Sequence, residues 1–139
     1  MKVFIDSSSS QKPIKITIGV CERIQAFAGV DILSGNPTEL ARLFDEPITL
    51  SKAIVAAVNQ EGFTLEELDA VTFANAKKAF FEELADFFRI LGRTDLTTML
   101  ARMGEIAEKA MAEREKVIQT KFAAPSFKQP EASESTPVS

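Results

Sequence analysis

One long segment, from Phe73 to Leu91, constrains the fold more than any other part of the chain. It holds five of the eleven phenylalanines, and no glycine or proline interrupts it. Apolar residues recur along it at helical spacing: Phe73, Phe80, Leu84, Phe87 and Leu91, widened by Phe81, Ala85 and Phe88. Because burying one phenylalanine side chain is worth about 1.5–3 kcal/mol, the segment predicts a helix whose apolar face forms the centre of the core.

The polar residues of this segment are predicted to cover the opposite, solvated face of the helix: Lys77, Lys78, Glu82, Glu83, Asp86 and Arg89. Thr72 is the predicted N-cap, and Gly92 is placed to end the helix. The three carboxylates could instead hold a hard metal ion. Helical sites of that kind also use histidines on facing helices, and the chain has none, so we expect a solvated surface.

The N-terminal residues favour a β-hairpin. Lys2–Asp6 is short and rich in β-branched and aromatic side chains, and Ile14–Ile18 alternates apolar and polar residues. The polar residues between them predict a loose loop. Since two strands alone are only marginally stable, the face formed by Ile14, Ile16 and Ile18 is predicted to pack on helices.

The remaining helices are predicted from their start and stop signals. Gly29 ends the first, and Asn36, Pro37 and Glu39 form a capping box that opens the second. A second capping box at Thr64 predicts a short helix. The predicted ranges are 20–28, 37–44, 47–59, 65–70 and 95–121.

Together these elements predict an α+β fold that is mostly α, with an N-terminal β-hairpin packed on a helical bundle and a long C-terminal helix. The length of 139 residues fits a single domain, which we place at residues 1–121. Residues 122–139 are rich in proline, serine and threonine and have too little apolar surface to order themselves. They are predicted to form a disordered tail.

The composition excludes several functional classes. A net charge of −4 disfavours a duplex nucleic-acid binder, and no apolar run is long enough for a membrane span. The absence of histidine removes the commonest general base and the commonest imidazole metal ligand. We therefore expect no enzymatic activity, no cofactor or metal, and no nucleic-acid or membrane partner.

Cys21, the single cysteine, is the main candidate for an alternative enzymatic function. A small hydrolase or transferase could use it as a nucleophile, but a catalytic cysteine normally needs a neighbouring base. We expect it to be a small buried hydrophobe. A lone cysteine also cannot form an internal disulfide, which suits a reducing cytoplasm.

The late part of the last helix is the predicted partner-binding site, because little chain remains to cover its apolar stripe. We assign to the site Ala107, Ala110, Met111, Val117 and Ile118. Exposed apolar stripes mark interaction sites, and flexible methionines suit a surface that must accept several segments. Pairing of two copies through the same stripe fits the spacing equally well. Gly104, inside this helix, could permit close approach of another helix or mark a kink.

Three stretches carry a resemblance to a known family: GVDIL (Gly29–Leu33), LARLFDEP (Leu40–Pro47) and FFEELADFF (Phe80–Phe88). With the order of the elements, they make roughly residues 14–115 resemble small proteins encoded in the tail-gene region of tailed bacteriophages and prophages, which are similar to tail assembly chaperones.

The resemblance implies a non-enzymatic helper in the cytoplasm of the bacterial host. Such a chaperone binds the tape-measure protein, keeps it soluble while the tail tube polymerises, and has the tail tube protein as a further partner. The alternative is a phage structural or adaptor protein, such as a tail or connector component, that is retained in the virion.

Overall fold

The computed structural model describes residues 1–58 and 60–123, with side chains as far as residue 113 except at positions 59 and 111. The chain divides into a first compact unit, Met1–Met103, and a second that begins at Gly104. The elements are β1 (Lys2–Ile5), β2 (Gln11–Ile14), α1 (Ile18–Ala28), α2 (Pro37–Asp45), α3 (Pro47–Val58), a 3-10 turn (Leu65–Glu67), α4 (Ala70–Leu91) and α5 (Thr94–Ala123). The predicted mostly helical α+β fold, with its N-terminal hairpin and long C-terminal helix, is confirmed. Residues 124–139, which hold most of the predicted tail, lie outside the described residues.

The core of the first unit forms around α4, as the periodicity predicts. Phe80, Leu84 and Phe88 have no exposed surface. Every other helix adds a fully buried aliphatic residue to this core: Ile24 from α1, Leu43 from α2, Ile54 from α3 and Leu96 from α5. Of the predicted stripe, only Leu91 lies largely outside the core, with 43% of its surface exposed.

Two polar side chains of α4 hold the backbone of the hairpin. The Asn75 amide nitrogen donates to the Ile5 carbonyl at 2.7 Å, and the Thr72 hydroxyl accepts from the Ser7 N–H at 2.9 Å. Thr72 is completely buried. The helix therefore supplies hydrogen bonds that a two-stranded sheet cannot make for itself.

Glu83 is not on the solvated face where the sequence placed it. It is 6% exposed, and its Oε2 accepts a hydrogen bond from the Ile16 N–H at 3.3 Å. Its Oε1 lies 3.2 Å from the amino group of Met1. One turn later, Asp86 pairs with Lys2 at 3.3 Å. The prediction was wrong because the hairpin covers this side of α4, which helical periodicity alone cannot indicate.

The start of α4 also differs from the prediction. The helix begins at Ala70, and its N-cap is Asp69, whose carboxylate accepts from the Thr72 N–H at 2.8 Å. Thr72 lies inside the first turn, because its hydroxyl is used by the hairpin instead of by the helix end.

The hairpin loop has five residues, 6–10, and β2 lies earlier than predicted. The Asp6 carboxylate accepts from the Ser8 N–H at 3.0 Å and from the Ser10 N–H at 2.8 Å, which closes the turn within a few residues. These bonds hold the pKa of Asp6 below its usual value, the bond from Ser10 contributing most. The strand that follows is therefore Gln11–Ile14, with Pro13 opposite Val3.

Ile14 and Ile16 are buried as predicted, whereas Ile18 is 57% exposed. The difference arises because Thr17 ends the extended segment by capping α1. Its hydroxyl accepts from the Val20 N–H at 3.1 Å. Ile18 therefore becomes the first residue of a helix and leaves the face it would share in a strand.

Two helices end at the glycines that the sequence predicts, but neither predicted capping box forms both of its hydrogen bonds. Gly29 and Gly92 both end their helices in the left-handed conformation, with φ of 74° and 84°. The Asn36 side chain caps α2 through the Thr38 N–H, yet Glu39 accepts from the Asp31 N–H instead. The predicted short helix at 65–70 is a single 3-10 turn, Leu65–Glu67.

We expect Phe80→Ala or Leu84→Ala to lower the free energy of unfolding by about 2–5 kcal/mol, since each removes a fully buried side chain. Denaturant unfolding measures the change. Ile90→Ala, at a residue on the same helix that is 82% exposed, is the control and should change it by less than about 0.5 kcal/mol. Equal effects at all three positions would contradict the placement of the core.

Candidate functional site

The predicted partner-binding stripe lies on α5. Helical periodicity of about 100° per residue places Ala107, Ala110, Met111, Val117 and Ile118 within an arc of roughly 120°. Leu96 and Leu100, which are buried in the first unit, belong to the same arc. The stripe thus has the same helical periodicity as these two leucines.

The described side chains of this stripe are small and mostly accessible. Ala107 is half-buried and Ala110 is exposed. Met111, Val117 and Ile118 lie within the helix Thr94–Ala123, but their side chains lie outside the described residues. Their assignment to the binding surface stays a prediction.

Ile106 is a residue that the sequence analysis left out of the site. It is 62% exposed and lies at the edge of the same arc, three residues after Met103 and four before Ala110. That spacing was the signal that could have included it. A large aliphatic side chain so exposed in the second unit adds apolar surface to the predicted stripe.

Gly104 does not serve close packing in the part of the chain that the structure describes. A Cβ added at this position would meet no atom within 4 Å beyond its own helix. In a helix interior, glycine costs about 1 kcal/mol relative to alanine. The described structure therefore supplies no packing reason for Gly104.

Two of the three carboxylates of α4, Glu83 and Asp86, are engaged in contacts within the fold. Asp86 pairs with Arg89 at 2.8 Å in addition to Lys2, and these hydrogen bonds, that of Arg89 first, hold its pKa below the usual value. Glu83 is buried against the hairpin, whereas Glu82 is exposed. Within residues 1–58 and 60–123, the described side chains form no group of three or more histidine, cysteine, aspartate or glutamate residues suited to a metal ion.

Cys21 is a buried residue of α1, as expected, with 6% of its surface exposed. Burial, with a smaller contribution from the nearby Asp31 carboxylate, raises the pKa of its thiol to about 11. Both effects disfavour the thiolate, which is the nucleophilic form. This environment is the opposite of one that activates a catalytic cysteine.

Comparisons with protein-family models, curated proteins and solved structures find no match to this chain. Among the helices that the structure describes, none is both long and apolar enough to cross a membrane.

Glu83→Ala should lower the free energy of unfolding by about 1–3 kcal/mol, because the buried Ile16 N–H would lose its acceptor. Glu83→Gln keeps an acceptor at this position and should cost less. Glu82→Ala, one residue away and exposed, is the matched control. If Glu82→Ala and Glu83→Ala destabilise the protein equally in denaturant unfolding, the contact with Ile16 does not contribute to stability.

Cys21 should react with iodoacetamide about 100-fold more slowly in the folded protein than in the unfolded chain, at a pH below both pKa values. The thiol pKa rises from 9.0 to about 11, and two pKa units reduce the thiolate fraction by that factor. The labelling rate of the folded protein should still increase between about pH 9 and 11, where that of the unfolded chain levels off. Intact-mass spectrometry measures both rates. Equal rates in the presence and absence of denaturant would show that the thiol is accessible and not perturbed.

Proposed function

We propose that this chain is a non-enzymatic tail assembly chaperone of a tailed bacteriophage or prophage. It would bind the tape-measure protein in the cytoplasm of the bacterial host and keep it soluble during tail assembly. The tail tube protein is a further candidate partner. The observation that carries the proposal is the apolar stripe of α5, with Ile106 62% exposed in the second unit, together with the family resemblance of the sequence.

The stretches that carry the resemblance lie in the first unit, and two of them form helices that pack against each other. Leu40–Pro47 spans most of α2 and the start of α3, and Phe80–Phe88 lies within α4. Phe44 of the first stretch stacks on Phe81 of the second, with ring centroids 4.6 Å apart and an interplanar angle of 9°. The resemblance therefore concerns residues that pack against one another, and it supports a shared fold.

A helix that presents an apolar stripe suits the capture of a helical client. Side chains spaced i, i+3, i+4 and i+7 can insert into the groove between two helices or pack along a single helix. Small residues such as Ala107 and Ala110 allow the partner to approach closely, and the flexible side chain of methionine adapts to different contacts. A long client with many similar segments would be bound by such a surface without strict sequence specificity.

The double variant Met111→Glu/Ile118→Glu should abolish capture of the tape-measure protein, because it places two charges on the apolar stripe. The measurement is co-expression with the tape-measure protein encoded nearby, followed by assay of the soluble fraction and co-purification. The expected result is that the client becomes insoluble and no longer co-purifies.

The matched control is Ala112→Glu/Gln119→Glu, which adds the same charges at the same seven-residue spacing on the side of the helix away from the stripe. It should leave capture intact. A soluble client that still co-purifies with the Met111/Ile118 variant would exclude the stripe as the client-binding surface. If instead only the oligomeric state changes, as measured by light scattering, the stripe joins two copies of the chain.

The alternative, a structural or adaptor component of the virion, gives a different outcome in purified particles. A chaperone is expected to be absent from them, whereas a retained tail or connector protein is present in stoichiometric amounts. Mass spectrometry of purified virions therefore distinguishes the two functions independently of the stripe variants.

A further inference from the structure

A second candidate binding surface lies on the first unit, where α1 and α3 pack side by side. It is an open groove of about 600 Å³. Its apolar lining comes from Ala26, Phe27, Val55, Ala56 and Phe63. Phe27 is 47% exposed although it is a large aromatic residue. Concave apolar surfaces with an accessible aromatic residue are typical of sites that bind an anchoring side chain of a partner.

The groove lining carries one cation and one carboxylate, and a second cation lies beside the lining, in a chain whose net charge is −4. Arg23 lines the groove, and the Lys52 Nζ lies 5.8 Å from the centroid of the Phe27 ring. Among the described residues, neither cation forms an ion pair. Glu61 is the single carboxylate among the lining residues that the structure describes. Arg23 and Lys52 together outnumber this carboxylate by one charge, so the surroundings of Phe27 favour a partner that carries negative charge beside its apolar anchor.

The secondary structure around the groove favours a helical partner. The groove lies between two helices, which is the geometry that binds an amphipathic helix. Addition of a strand at the hairpin is less favourable, since the Ile5 carbonyl and the Ser7 N–H are already bound by α4.

We propose that this groove binds an acidic amphipathic helix of a partner protein. The helix would insert one large apolar side chain against Phe27 and place a carboxylate one turn away, near Arg23 and Lys52. Residues three or four apart lie on one face of a helix, so a single helix can supply both groups. The inference rests on the proposed function in one respect: the natural partner is taken to be a helical client.

The test uses two synthetic peptides of about 18 residues, long enough to form helix in water. Both have leucines at positions i, i+3, i+4 and i+7, and the flanking positions are glutamate in one and lysine in the other. Each is titrated into the full isotope-labelled chain. We expect the acidic peptide to shift the amide resonances of α1 and α3 at the groove and to bind about tenfold more tightly than the basic one. The negative net charge of the chain favours the reverse order, so this preference would be specific to the groove.

Two variants of α1 test the location. Ala26→Glu adds a negative charge to the groove lining and should weaken binding of the acidic peptide about tenfold or more. Gln25→Glu adds the same charge at the preceding exposed residue, which does not line the groove, and should leave binding largely unchanged. Equal affinity for both peptides, no binding of either, or equal effects of the two variants would overturn the proposal.

The outcome is separable from that of the proposed function. If the peptides fail to bind as expected while the tape-measure protein is still kept soluble, the groove assignment is wrong and the chaperone function stands. If the acidic peptide binds at the groove but the tape-measure protein precipitates in co-expression, the groove stands and the function is wrong.

Discussion

The burial of one face of α4 is the interaction on which the rest of the first unit depends. Phe80, Leu84 and Phe88 are completely enclosed, and each fully buried side chain of this size contributes about 1.5–3 kcal/mol. The shorter helices are too brief to be stable by themselves in water. They become stable by packing around α4, as the stacked rings of Phe44 and Phe81 illustrate for α2.

A second side of α4 positions the hairpin through hydrogen bonds to its backbone. Thr72, Asn75 and Glu83 hydrogen-bond backbone groups of the N-terminal segment, and Ala76 and Ala79, both buried, lie between them. Small side chains let the hairpin approach closely enough for the polar ones to reach its backbone. The helix thus does two different things: its large apolar residues form the core, and its polar residues satisfy a sheet of only two strands.

The candidate binding surfaces use residues outside α4, although Ala56 and Phe63 of the groove also belong to the core. The stripe of α5 continues past Gly104 with the exposed Ile106, whereas the groove beside Phe27 belongs to the first unit. The stripe was visible in the sequence because its apolar residues recur at helical spacing within one helix. The groove was not visible, because its lining comes from α1, α3 and the segment after α3. Periodicity within one element cannot show which faces of two helices leave a space between them.

The sequence by itself determined the features that depend on neighbouring residues: the existence and approximate limits of the helices, the left-handed stops at Gly29 and Gly92, and the apolar stripe of α4. Tertiary structure decided the features that depend on residues far apart in the chain. Glu83 is buried because Ile16, far away in the chain, needs an acceptor. Thr72 lies inside the helix, and its hydroxyl accepts a hydrogen bond from the Ser7 N–H, while Asp69 is the N-cap residue. A polar side chain can satisfy local or distant backbone groups at similar energetic cost, so the choice between them is made only when the chain has folded.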